Sequence, residues 1–156
     1  MATQYREQYD RVRRWHARFE QLDKGRPHDA VSDNYVDEIY AFFLNCYHLK
    51  DWIKHDSSVP TVVQGQVEGY INSNRALQLC ADISNSLKHL APLRTPRSAE
   101  HPTFGKKGYA LALGGGPAVI SLKYEVATVS GVIDAFTLAT DCVAAWDAFL
   151  RNSNLL

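Results

Sequence analysis

Imidazole, carboxylate and amide groups recur at helical intervals in two places along this chain: Asn45, His48, Asp51 and His55 in one, Asp82, Asn85, Ser86 and His89 in the other. At 100° per residue, Asp82 and His89 fall within about 20° of each other on a helical wheel, with Asn85 and Ser86 between them. Leu79, Ile83, Leu87 and Leu90 lie about a quarter turn away, so the stripe borders a core. Lys88 lies off the stripe, as Lys50 does on the earlier helix. Histidine supplies general acid or base chemistry near neutral pH, and a carboxylate holds its tautomer and orientation. If the two helices are antiparallel neighbours, both sets share one partly buried wall.

The same groups have a structural reading. Asp82, Asn85 and His89 can hydrogen-bond the proline-rich connection or hairpin that follows, and His48 can be a satisfied core histidine. His48 and His55 stand about 10 Å apart along a helix, too far to chelate one ion, so neither a metal nor another cofactor is expected. Gly114-Gly115-Gly116 joins two strands and reads as a hairpin turn rather than a phosphate loop. Cys46, Cys80 and Cys142 are odd in number, far apart and set in apolar helical patterns, so they read as reduced core residues. Trp15, Trp52 and Trp146 read as core anchors.

The elements that carry these residues follow from periodicity. Tyr5, Tyr9, Val12, Trp15, Phe19 and Leu22 predict an amphipathic helix over 3–24, with Arg11, Arg13, Arg14 and Arg18 on its solvated face and Gly25 and Pro27 ending it. A second helix is expected over 32–56, capped by Ser32 or Asp33 and apolar over most of its girth, as at a bundle centre. Val62, Val63, Gln66, Val67 and Tyr70 suggest a short third helix despite Gly65 and Gly69. A fourth runs from Asn74 or Arg75 to Leu90 and stops at Pro92. Residues 91–107 read as an exposed connection. The period then changes to two, predicting a hairpin around Gly114-Gly115-Gly116-Pro117, and a last helix from Ile133. The fold expected for these 156 residues is one mainly α domain, a four- or five-helix bundle with a β-hairpin before the C-terminal helix.

Lys plus Arg and Asp plus Glu number 17 each, so no global charge argues for nucleic acid, an anionic membrane or an acidic substrate, and any such binding must be local. No apolar run suits a signal peptide or membrane span, which points to the cytoplasm.

The segment ADISNSLKHL, with FFLNCYHLKDWI on a preceding helix, resembles the HEPN superfamily of helical-bundle proteins, many of them RNases of bacterial toxin and antiviral defence systems. Their hallmark is an Arg followed four to six residues later by His on a late bundle helix. His89 matches that His, and Asn85 and Asp82 match polar positions leading to it. Positions 82 to 84 hold Asp82, Ile83 and Ser84 in place of the Arg, and the nearest upstream arginine is Arg75. The resemblance implies metal-independent cleavage in which a ribose 2′-OH attacks the neighbouring phosphate. His89 would be acid or base, Lys88 or Arg75 would replace the guanidinium, and His48 or Asp51 would complete the wall. It also implies RNA as substrate and a site shared across a homodimer. The residues by themselves leave two other classes open. One is a non-catalytic homodimeric protein-interaction module using the first and last helices; the other is a nucleotide- or small-molecule-binding bundle lined by His48, Trp52 and His89.

Overall fold

A computed structural model describes residues 3–89 and 95–156. It has five helices and a four-stranded antiparallel sheet: α1 (Gln4–Lys24), β1 (Arg26–Pro27), α2 (Ser32–His55), α3 (Thr61–Ser73), α4 (Arg75–Lys88), β2 (Thr103–Ala112), β3 (Val119–Thr128), β4 (Gly131–Asp134) and α5 (Ala135–Asn152). The expected mainly α bundle with a hairpin before its last helix is the fold observed. The fourth helix's expected end at Leu90 and its stop at Pro92 lie outside the described residues, as do 91–94 of the connection.

The bundle centre is α2. Tyr35, Ile39, Phe42, Phe43, Cys46, Leu49 and Ile53 are all fully buried, which requires neighbours on most sides. It packs against α1, α3, α4 and α5. Its first turn differs from the expected cap: Val31 occupies the cap position and no side chain closes the turn. The Tyr35 hydroxyl instead accepts the N–H groups of Asp29 and Ala30, satisfying the donors of the entering loop. Where α2 ends, the Asp56 carboxylate accepts the Tyr5 N–H at 2.9 Å, tying that end to the electropositive start of α1.

The sheet is organised around β3. Its alternate residues Ile120, Leu122, Tyr124 and Val126 are buried, and it packs against α1 and α5. Since β2 pairs along one edge of β3, β1 and β4 take the other edge, at opposite ends. Both short strands went unseen in the sequence. Gly25 turns the chain from α1 into β1 at φ +123°, and a Cβ there would stand 3.0 Å from a Val119 methyl. β4 takes Ile133 and Asp134 from the expected start of the last helix, which begins at Ala135 with Asp134 accepting the Thr137 N–H.

β2 starts at Thr103, inside the stretch expected to be connection, and Ser98 and Pro102 before it are buried. Between Phe104 and Lys107 it carries one extra residue, a bulge. The bulge shifts the alternation so that Tyr109 and Leu111 stand opposite Leu122 and Ile120, on the helix side of the sheet. There the sheet runs past the bundle, leaving Leu111, Leu113 and Val31 exposed. No helix among the described residues is long and apolar enough to cross a membrane.

Candidate functional site

The two polar stripes have different fates. The middle of α4 is inside: Leu77, Leu79, Cys80, Ala81, Asp82, Ile83 and Ser84 are buried. Asp82 therefore does not border solvent. Its carboxylate accepts the backbone N–H groups of Arg97 and Ser98, at 2.8 and 2.9 Å, and the Ser98 hydroxyl. It is a clamp on the connection, as the structural reading anticipated for it.

His89 has left the helix. It is the C-cap residue, in extended conformation, with its N–H donated to the Asn85 carbonyl, and its side chain is exposed. Asp82 and His89 therefore differ in exposure: the carboxylate is buried, whereas the imidazole stands exposed where the chain leaves the helix. Asn85 is half-buried, and Lys88 is exposed on the last turn. Arg75 opens α4 and bonds to Glu100 and Ser130, about 20 Å along the axis from His89. It is not available to replace a guanidinium near that histidine.

The α2 stripe stays together. His48 Nδ1 lies 3.6 Å from Asp51 Oδ2, with both side chains about 40% exposed. That separation is an electrostatic contact rather than a hydrogen bond. Burial, and then the charge of Lys88 across on α4, hold the His48 pKa below its ordinary 6.5 against the pull of Asp51. The charge of Lys88 is thus felt at His48 across the α2–α4 packing, while Asp82 is engaged by the connection.

Groups the sequence did not single out enlarge this wall. Glu68 of α3 receives Lys54 at 2.8 Å, Lys50 at 3.4 Å and the Arg97 guanidinium. Burial works against ionising Glu68, but hydrogen bonds from Lys54 and Arg97, with the nearby charges, bring its pKa from 4.5 to about 2. Tyr47 has Lys50 5.0 Å and the Arg97 guanidinium 5.9 Å from its ring centre. Lys50 and Lys54 share an α2 face at i, i+4, a signal that sequence alone offered; nothing in it brought Glu68 or Arg97 there. A shallow concavity of about 250 Å³ adjoins the wall, lined by Gln4, Asp51, Trp52 and His55. Half-buried Trp52 lies 5.5 Å from the Arg11 guanidinium. The wall therefore offers an imidazole with a lowered pKa, an excess of cations and two half-buried aromatic rings.

The three cysteines are free and buried, but they are not apart: their sulfurs converge in the core. Compared with known protein families, curated proteins and solved structures, the chain matches none.

Proposed function

We propose that the protein acts on RNA in the bacterial cytoplasm as a HEPN-like, metal-independent endoribonuclease of a defence or toxin system, using the α2–α4 wall. The supporting observation is His48: a half-exposed imidazole with Asp51 3.6 Å from its Nδ1 and its pKa held below the ordinary 6.5 by burial and by the charge of Lys88 on α4. In this reading His48 takes the proton of a ribose 2′-OH as that oxygen attacks the adjacent phosphorus. Lys88 offsets the charge that builds on the phosphoryl oxygens, and His89 protonates the departing 5′ oxygen. Asp51 orients His48. Lys50, Lys54 and Arg97 hold flanking phosphates, and Trp52 offers a stacking face. Asp82 and Asn85 support the wall from α4 without touching the substrate.

The test is incubation of mixed RNA with the purified protein in chelator, alongside His48→Ala and His89→Ala. Cleavage lost in the His48 variant is expected; equal cleavage by all three proteins, or by none, overturns the assignment.

A second reading, a non-catalytic homodimeric module, draws on the apolar overhang of the sheet. Among the described residues β2 pairs only with β3, so its ten-residue outer edge presents unpaired backbone groups beside exposed Leu111 and Leu113. An antiparallel edge can pair with a second copy of itself about a twofold axis. Light scattering of the protein and of Leu111→Glu decides it: a dimer that the substitution splits supports this reading, and a monomer at all concentrations removes it.

A further inference from the structure

Cys46 of α2, Cys80 of α4 and Cys142 of α5 meet where three helices pack. Their sulfurs all lie within 4.8 Å of one another, and none of the three residues is more than 1% exposed. A ring of hydrogen bonds closes around them. The Cys142 thiol donates to the Ala76 carbonyl, one turn before Cys80, at 3.3 Å, and the Cys80 thiol donates to the Phe43 carbonyl, just before Cys46, at 3.5 Å. The Trp146 indole N–H donates to the Cys46 carbonyl at 3.2 Å, returning from α5 to α2. Both thiol acceptors are helix-interior carbonyls that already receive backbone N–H groups, so loss of the thiol protons would leave neither orphaned.

A disulfide would use two of the sulfurs and strand the third. Packing alone needs sulfur at none of these positions, whereas a soft cation needs it at all three. We propose that Cys46, Cys80 and Cys142 form a three-coordinate site for a thiophilic d10 cation of the monovalent-copper class.

Three sulfurs at about 2.3 Å from one ion stand about 4 Å apart, so the thiols need close by less than about 1 Å. Among the described residues no fourth His, Cys, Asp or Glu joins the group, which disfavours the four-ligand site that structural zinc takes. Thiolate sulfur with no oxygen ligand selects soft ions. Each of the three metal–sulfur bonds releases its thiol proton to solvent, and because the site is closed, loading accompanies folding.

The test is to refold the reduced full chain without oxygen in the presence of cuprous ion or of zinc, remove unbound ion, and measure retained metal. Ultraviolet thiolate-to-metal absorption and tryptophan fluorescence are read on the same samples, since Trp146 adjoins the site. About one copper per chain is expected, with quenched fluorescence and a raised melting temperature. Cys46→Ser, Cys80→Ser and Cys142→Ser should each lower copper affinity about tenfold or more. Should the serine variants fail to fold, the stoichiometry and thiolate absorption of the unaltered chain still decide. No retained copper, copper without thiolate absorption, equal retention by a folded triple variant, or preferential retention of zinc would each overturn the proposal.

Discussion

Asp82 and Asp51 are carboxylates on neighbouring helices with opposite surroundings. Asp82 is buried and takes three donors from the connection between α4 and β2. Asp51 stays near the surface with Lys50 and His48 for company. A carboxylate whose lone pairs are already taken by backbone N–H groups is part of the scaffold. One with unfilled accepting capacity beside an imidazole is free to act on something else.

The contrast makes its largest prediction in activity. His48→Ala should slow RNA cleavage at least about a hundredfold while leaving unfolding free energy within about 0.5 kcal/mol, read by cleavage assay and denaturant titration. Because burial and Lys88 lower the imidazole's pKa, the acid limb of the rate profile should have its midpoint below 6.5. A midpoint above that value would mean that Asp51 dominates.

The next effect is in stability. Asp82→Ala strands two backbone N–H groups and should cost about 3 kcal/mol, whereas Asp51→Ala should cost less than about 0.5 kcal/mol. Equal costs in urea denaturation would erase the distinction between the two carboxylates.

Glu68 stands between these extremes, partly exposed but ringed by cations. Its pKa is depressed on folding, so its stabilisation is present above the unfolded value and lost as pH falls from 4.5 towards 2. Acid titrations of the parent chain and Glu68→Gln should separate above that window and converge within it. Parallel curves throughout would leave the ion cluster without effect on stability. The smallest change is expected at Ser84, whose buried hydroxyl has no hydrogen-bond partner among the described residues. Ser84→Ala should be neutral or stabilising by up to about 1 kcal/mol; a loss of stability would reveal a partner for that hydroxyl.

The helices were legible because their apolar residues repeat at three and four, and α3 formed despite two glycines because Val67 and Ile71 are buried. The hairpin was legible from its change of period. The strands β1 and β4 carry no period of their own, since each is defined only by β3 across from it. The site divides in the same way. His48 and Asp51 are local in sequence and stayed together. Asp82 is buried under a connection that folds back onto its carboxylate, while His89 stays exposed at the helix end. The cysteine convergence depends on how three helices cross, which no spacing along one of them records.

The edge-sharing of β3 also orders events in time. Pairing Arg26 with Ile120 closes a loop that spans most of the chain, whereas α2, α3 and α4 are sequential neighbours that need only short closures. The β1 contact is therefore expected to form after the folding barrier has been crossed. Substituting Gly25 with alanine, which strains only that junction, should then speed unfolding in stopped-flow traces and leave the refolding rate nearly unchanged. The strap that joins the first helix to the sheet would act as a latch, setting how long the native state lasts rather than how quickly it is reached.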